Sequence, residues 1–226
     1  MHVKQPILLA WSGGKDAAWT LERLRSDPRW HVAALLCTFD PDRAISSRQG
    51  VALDVLRAQA RAARLPLRLM PLATGASNNA YRAAFSDALE SAQLLAPGLT
   101  DIAFGDVHLS DIRDWREQLC RSLGFTAHFP LFGSEPEALA REMIDGGLRG
   151  WLCQVDSRQL DPGFLGRDFD HDLLDALPAG VDRCGERGEF HTVVTHGPMF
   201  DEPLTVRRGE RWVEDERFHL MATLLD

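Results

Sequence analysis

The sequence predicts an α/β fold built on a doubly wound parallel sheet, with a smaller α+β part at its C-terminal end. Short apolar runs of strand length alternate with longer helical patterns through most of the chain, and the first run ends at a Gly-Gly pair that opens a helix. After about residue 156, glycine, proline and aspartate become frequent and further strand patterns follow. Strands that alternate with helices form βαβ units, which assemble into a parallel sheet.

The apolar periodicity places the individual elements. Continuous apolar runs bounded by turn residues predict strands, and apolar residues spaced three and four apart predict helices. Strands are predicted over 6–11, 31–39, 67–72, 101–105, 127–131 and 151–155. Helices alternate with them over 16–25, 50–64, 81–95, 112–123 and 135–144. Later strands are predicted over 189–195, 204–208 and 218–225. Ligands of open parallel sheets bind beyond the carboxyl ends of the strands, so chemistry is expected in the loops there.

The composition is that of an ordinary globular protein. Hydrophobic residues make up 45% of the chain and charged residues 26%. The formal net charge of −8 argues against a long nucleic-acid duplex as partner, because phosphate backbones are bound by clustered lysine and arginine. A local basic groove for RNA is the alternative, and a nucleic-acid partner is not expected. No apolar run approaches the roughly 18–20 residues that span a bilayer, and the first residues lack the pattern of a signal peptide. We therefore expect a cytoplasmic protein with no membrane partner.

The cysteines agree with a reducing compartment. Cys37, Cys120, Cys153 and Cys184 lie far apart and form no C-x-x-C pair. Their spacing offers neither a disulfide framework nor a local zinc or iron–sulfur signature. Four reduced and mostly buried thiols are expected, and no neighbour of Cys184 identifies it as a nucleophile.

The sharpest local feature is the stretch SGGKD at residues 12–16, directly after the first predicted strand and before the first predicted helix. Two glycines let the backbone turn tightly and approach an anion, and the helix start supplies unpaired N–H groups. Ser12 can donate a hydrogen bond, Lys15 can neutralise phosphate charge, and Asp16 can cap the helix or hold Mg²⁺. A plain strand-to-helix turn capped by Asp16 is the alternative.

This loop is neither G-x-x-x-x-G-K-[ST] nor G-x-G-x-x-G. It resembles the pyrophosphate loop of the N-type ATP pyrophosphatases, which include GMP synthetase, asparagine synthetase and tRNA thiolases. The resemblance implies a Rossmann-like sheet of the adenine nucleotide alpha hydrolase type. It also implies that ATP is split into AMP and pyrophosphate while a substrate oxygen is adenylated, with Mg²⁺ stabilising the phosphate charge.

Further stretches narrow the family. They read FGDVHL at 104–109, DIRDWR at 111–116, FPLFG at 129–133, VD at 155–156, LDP at 160–162 and CGERGEFHT at 184–192. Together with the 12–16 loop they resemble the diphthine–ammonia ligase family over about residues 6–200. In that family the acyl group of diphthine on elongation factor 2 is adenylated and then attacked by ammonia to give an amide. No glutaminase motif is visible, so free ammonia or a separate protein would supply the nitrogen.

The resemblance assigns site residues to ATP and Mg²⁺. The residues expected to bind the nucleotide are Ser12, Gly13, Gly14, Lys15, Asp16, Cys37, Thr38, Phe39 and Gly105. The end of the second strand would give backbone contacts to adenine. Asp16 and Asp106 would lie near Mg²⁺, although a turn or capping role for Asp106 is the alternative.

The expected catalytic residues are Lys15, Asp106, Glu186, Glu189 and His191. Two carboxylates in a Gly-rich turn suit general-base work on ammonia, metal binding or recognition of a substrate amine. Glu189 and His191 alternate with Phe190, so their side chains are predicted to leave one face of a strand, where a Glu–His pair could move protons near neutral pH. An exposed strand face without chemistry is the alternative.

Two positions depart from the family pattern. Ala17 stands where the superfamily usually has serine, and the stretch Arg48-Gln49-Gly50 stands where many relatives carry Met-His-Gly. Both departures bear on the identity of the acceptor substrate more than on the binding of ATP. We place the domain boundary so that 1–133 form the ATP-pyrophosphatase, nucleotide-binding domain and 134–226 form the substrate-side α+β domain.

The first hypothesis is an ATP-dependent ligase that adenylates a carboxylate and forms an amide with ammonia. Its partners would be ATP, ammonia and a carboxylate-bearing acceptor, with protein-bound diphthine as one candidate. The alternatives are a tRNA- or nucleobase-modifying ATP pyrophosphatase and a non-catalytic module that binds ATP or AMP. A homodimer is left open.

Overall fold

The computed structural model describes residues 4–47 and 49–226, which fold into two sheets with helices around them. The strands of the main sheet are β1 (Gln5–Ala10), β2 (Trp30–Asp40), β3 (Ile45–Ser46), β4 (Leu67–Pro71), β5 (Asp101–Ala103) and β6 (Thr126–His128). The second sheet contains β7 (Arg149–Asp156), β8 (Phe190–His196), β9 (Val206–Glu214) and β10 (Phe218–Leu225). The helices are α1 (Lys15–Ser26), α2 (Leu53–Ala62), α3 (Asn78–Leu95), α4 (Ser110–Ser122), α5 (Pro136–Asp145) and α6 (His171–Ala176), with a 3₁₀ turn at Pro162–Phe164.

The main sheet is parallel except for the short β3. Its strands run in the order β4-β2-β1-β5-β6, and β3 pairs antiparallel with the end of β2 beyond the last residue of β1. The β1 side chains alternate between two cores: Ile7 and Leu9 pack on one face and Leu8 on the other. Helices α1 and α2 cover the first face, and α3 and α4 the second. The predicted α/β fold with a doubly wound parallel sheet is confirmed.

The second sheet is antiparallel in the order β8-β7-β10-β9. It packs against the α1 and α2 side of the main sheet, with which it shares one core. Hydrogen bonds also join the two sheets: the amide of Val194 in β8 donates to Gly13 O at 3.0 Å, and the amide of Ala52 donates to Thr223 Oγ1 at 2.8 Å. The smaller α+β part therefore lies directly beside the 12–16 loop. The boundary at 133/134 stays a prediction.

Some boundaries differ from the predicted ones for identifiable reasons. β9 extends to Glu214 instead of ending at 208, because it is a half-exposed edge strand rich in arginine that shows no apolar run. β3 has two residues and α6 has six, too few to produce a periodic pattern. No helix within the described part of the chain is both long and apolar enough to cross a membrane.

Asp156 at the end of β7 anchors the second sheet. Its fully buried carboxylate accepts hydrogen bonds from Arg217 Nε at 2.6 Å, Gln159 Nε2 at 2.7 Å and the amide of Arg158 at 3.1 Å. The Arg217 guanidinium is the main cause that lowers the pKa of Asp156 to about 2. The contribution of this carboxylate to stability is therefore complete well above pH 3.8 and is lost as the pH falls through about 2.

We expect Asp156→Asn to lower the free energy of unfolding by ~1–3 kcal/mol at pH 7, because charge-assisted hydrogen bonds to a buried group are lost. Denaturant unfolding at pH 7 and at pH 2 measures the change, which should shrink at the lower pH. Asp168→Asn is the matched control, since Asp168 pairs with Arg208 but is 68% exposed. An equal loss of stability in both variants would contradict this role.

Candidate functional site

The 12–16 loop joins β1 to α1 at the carboxyl end of β1, as predicted. Gly13 has a φ of +84°, and a Cβ there would lie 2.9 Å from Leu56 Cδ2. Gly14 is the N-cap of α1 and makes no side-chain capping hydrogen bond. A Cβ at Gly14 would lie 3.1 Å from the carbonyl oxygen of Thr192 in β8. The positive φ of Gly13 favours glycine there, and a Cβ at Gly14 would need the Thr192 carbonyl to give by a few tenths of an ångström. The N-cap of α1 is Gly14, so the alternative of a turn capped by Asp16 is wrong.

Lys15 lies under the loop that precedes β8. The residue is 2% exposed, and its Nζ lies 2.8 Å from Asp16 Oδ2 and donates to the carbonyl oxygen of Cys184. The ring centroids of Phe169 and Phe190 lie 5.9 and 5.6 Å from Nζ. Burial alone would lower the pKa of Lys15, but the surrounding negative groups, Asp16 first, raise it. Lys15 is therefore a fixed positive charge at the start of α1.

Three carboxylates interact with one another here, and two of them, Asp16 and Glu186, also act on Lys15. Glu186 Oε1 accepts a hydrogen bond from the amide of Val107 at 2.8 Å, which ties the Gly-rich turn to the loop after β5. Burial raises the pKa of Glu186 to about 7, and the charges of Asp16 and Asp106 act in the same direction. Burial also raises the pKa of Asp16, against the effect of Lys15. The structure thus brings Asp16, Asp106 and Glu186 into one electrostatic cluster.

Asp106 faces an arginine. Its Oδ2 lies 3.0 Å from Arg116 Nε, yet neither atom has a partner in hydrogen-bond geometry among the described residues, so the contact is an ion pair only. Arg116 also stacks over Phe104, with 4.4 Å between its Cζ and the ring centroid. The preceding Gly105 packs against the start of α1, where a Cβ would meet the Asp16 carbonyl carbon at 2.9 Å and the Ala17 amide at 3.1 Å. This contact holds Asp106 beside the 12–16 loop.

The Glu189 carboxylate is buried inside the turn formed by residues 182–189 and does not reach its surface. The residue is 2% exposed, and its two carboxylate oxygens accept hydrogen bonds from the amides of Asp182 and Arg187 at 3.1 and 3.0 Å. Glu189 precedes β8, whereas His191 lies within the strand and is partly exposed. The geometry favours a bracing role for Glu189, and its proton-sharing pair with His191 stays a prediction.

The end of β2 lies at the same edge of the sheet. Cys37 is buried, and the carbonyls of Thr38 and Phe39 accept hydrogen bonds from the amides of Ser47 and Leu72 at 3.1 and 2.9 Å. Backbone contacts from this segment to adenine stay a prediction. Two positions were noted above as departures from the family pattern. Ala17, in α1, is buried. Gln49 lies close to the 12–16 loop, with its Nε2 3.5 Å from the place that a Cβ on Gly14 would occupy. Arg48 lies outside the described residues.

Two residues of the site, Asp182 and Thr192, were not predicted from the sequence. Asp182 is buried, with Oδ2 against His108 Nε2 and Oδ1 accepting from the amide of Cys184 at 2.7 Å. Thr192 Oγ1 accepts the hydrogen bond of the Lys15 amide at 3.1 Å. The contacts of Asp182 with His108 and of Thr192 with Lys15 join segments far apart in sequence. The contact of Asp182 with Cys184 is local, and an aspartate two residues before a Cys-Gly pair is a sequence signal for a side-chain-capped turn.

All four cysteines are buried and none is bridged, as predicted. Burial raises the pKa of Cys37 and Cys153 to about 12 and raises that of Cys184 further. Cys184 Sγ donates to the carbonyl oxygen of Pro136 at 3.2 Å. A protonated and enclosed thiol at this position is consistent with the rejection of Cys184 as a nucleophile.

Two family models match the chain. The model described as diphthamide synthase N-terminal domain matches residues 5–127, and the model described as diphthamide synthase C-terminal domain matches residues 135–223. The first covers the main sheet with its 12–16 loop. The second covers the Gly-rich turn and the second sheet.

The curated relatives are proteins named diphthine–ammonia ligase. The human protein is 32% identical over 108 residues, which are 45% of this chain and 40% of the relative. The rat protein is 27% identical over 222 residues, 88% of this chain and 82% of the relative. The Schizosaccharomyces pombe protein is 25% identical over 218 residues, 88% of this chain and 36% of the relative. The chain thus spans well under half the length of two of these relatives. Its match to both domain models nevertheless shows that it belongs to the diphthamide synthase family, which includes the diphthine–ammonia ligases.

Proposed function

We propose that the protein is an ATP-dependent ligase that adenylates a carboxylate and forms an amide with ammonia. The observation that carries the proposal is the 12–16 loop, where Gly13, Gly14 and the start of α1 form a turn of the kind that suits an anion. The buried Lys15 lies in this turn, and the carboxylates of Asp106 and Glu186 lie nearby. Membership of the diphthamide synthase family and the names of the curated relatives support the same reaction.

The reaction has two steps that place different demands on the site. A carboxylate oxygen attacks the α-phosphorus of ATP, the bond from that phosphorus to the bridging oxygen breaks, and pyrophosphate leaves. The nitrogen of ammonia then attacks the acyl carbon, AMP leaves, and the nitrogen gives up a proton. Lys15 and the N–H groups of the loop would stabilise charge on the phosphates, and Glu186 would take the proton.

Mg²⁺ is implied by the family resemblance and by the chemistry of the phosphates. The described residues contain no group of three or more His, Cys, Asp or Glu side chains arranged for a metal ion. Mg²⁺ bound to a nucleotide usually takes only one or two carboxylates, together with phosphate oxygens and water. Asp106 fits that role, since its buried Oδ2 lacks a hydrogen-bond partner among the described residues and is ion-paired with Arg116. Asp16 would have to give up its contacts with Lys15 Nζ, at 3.0 and 2.8 Å, to hold the ion. When bound, Mg²⁺ would neutralise charge on the phosphates.

For the acceptor we propose protein-bound diphthine, on the strength of the relatives' names alone. A protein acceptor agrees with the net charge of −8, which disfavours a nucleic-acid substrate. We also propose a cytoplasmic location, which agrees with four buried, unbridged cysteines. The homodimer stays open.

The fate of radiolabelled ATP tests the proposal. We expect labelled AMP and pyrophosphate when ATP, Mg²⁺, ammonium and a diphthine-bearing protein are supplied together, and little AMP when the acceptor or the ammonium is omitted. ADP and phosphate as products would contradict the reaction type. ATP binding without turnover in any combination would favour the non-catalytic module.

A further inference from the structure

Gln59 is a buried polar residue in the middle of α2. The residue is 0% exposed and packs against the 12–16 loop, since its Oε1 would lie 3.0 Å from a Cβ at Gly13. Its three side-chain hydrogen bonds reach three separate segments. Oε1 accepts from Trp11 Nε1 at 3.1 Å, and Nε2 donates to the carbonyl oxygens of Gly13 at 3.0 Å and Val194 at 2.8 Å.

The chemistry of these partners defines the orientation of the amide. The indole N–H of Trp11 can only donate, and the two backbone carbonyls can only accept, so the oxygen and nitrogen of Gln59 cannot be exchanged. A fully paired buried amide is stabilising and specific, whereas one unpaired group in such a network is costly. No apolar side chain of similar size can replace these contacts.

The contact with Gly13 determines which way the loop faces. Gly13 O accepts two hydrogen bonds, from Gln59 Nε2 and from the amide of Val194 at 3.0 Å, and both partners lie on the core side. In a trans peptide the carbonyl of one residue and the amide of the next point in opposite directions. The Gly14 N–H is therefore turned away from α2 and β8, toward Ser12 Oγ at 3.3 Å. This is the arrangement required if the loop is to receive an anion.

We propose that Gln59 is a positioning residue for the nucleotide, which holds the Gly13–Gly14 peptide with its N–H directed to the phosphates. The inference rests on the proposed function, because it assumes that the 12–16 loop binds ATP. It explains why α2 carries an amide in the core and how the second sheet, through Val194, helps to shape the loop of the main sheet.

Binding of ATP to the full chain, measured by calorimetry without an acceptor, tests the inference. We expect Gln59→Met, which keeps the volume but removes both donors, to raise the dissociation constant of ATP by ~10- to 100-fold. Trp11→Phe is the matched control, since it deprives the same amide of its indole partner but leaves its bonds to the carbonyls of Gly13 and Val194 intact. It should lower the melting temperature while changing the ATP dissociation constant less than about twofold.

The outcomes separate this inference from the proposed function. If the wild-type protein binds neither ATP nor pyrophosphate, the proposed function itself is wrong. Wild-type binding that Gln59→Met leaves unchanged, or that Trp11→Phe weakens as much, would overturn only the positioning role. If Gln59→Met does not fold, Gln59→Asn takes its place. Its amide is one methylene too short to reach both carbonyls, and the same loss of affinity is expected.

Discussion

Lys15→Met should reduce AMP formation by roughly 10²- to 10³-fold, the range seen when a preorganised group that stabilises transition-state charge is removed. Lys15 is buried at the start of α1, near the rings of Phe169 and Phe190. Methionine fills similar space without a charge, so the loss would be electrostatic. The measurement is the initial rate of AMP release under the conditions proposed above.

The control for Lys15 is Arg23→Met on the same helix. Arg23 is half-exposed, pairs with Glu142 and lies outside the carboxylate cluster, so activity close to wild type is expected. Circular dichroism and thermal melting show whether Lys15→Met is folded, since it leaves the Cys184 carbonyl and Asp16 without their ammonium partner. Activity within tenfold of wild type in a folded variant would mean that Lys15 only holds the 184–189 turn in place.

The parts of the site that depend on local sequence were predictable. Gly13 and Gly14 predict a turn, because glycine is favoured at the positive φ of the first and leaves room for the Thr192 carbonyl beside the second. The placement of Asp106 after β5 follows from the rule that catalytic loops gather at the carboxyl ends of parallel strands. The parallel sheet itself is visible in the alternation of apolar runs with helical patterns.

The parts of the site that depend on long-range contacts could not be predicted from the sequence. Gln59 reaches residues 46 and 135 positions away, and the only local sign of it is an amide on the apolar face of a predicted helix. The hydrogen bonds of Glu189 also escaped prediction: its carboxylate accepts from the amides of Asp182 and Arg187, in a turn that passes through Gly185 and Gly188, both with positive φ. Its pairing with His191 stays a prediction. Local periodicity does not encode where such amides point.

Glu186→Gln should lower the rate of amide formation by ~10²- to 10⁴-fold if Glu186 is the general base. Burial raises its pKa to about 7, so a base at this position gains activity as the pH rises through about 7. The variant should lose that rise, because an amide does not titrate near neutral pH. Glu202→Gln, at an exposed position, should keep the wild-type rate and pH profile.

The same substitution should make the protein more stable at high pH. The folded pKa of Glu186 lies above its ordinary value of 4.5, so the folded protein holds a proton that the unfolded chain releases between pH 4.5 and about 7. The favourable contribution of the protonated carboxyl is complete below pH 4.5 and is lost as the pH rises through about 7, where the buried carboxylate becomes charged. Glu186→Gln should therefore melt above wild type at pH 8, and its advantage should disappear near pH 4.5. A constant difference in melting temperature across this range would contradict the raised pKa. A less active but more stable variant is the expected signature of a carboxylate retained for function at a cost in stability.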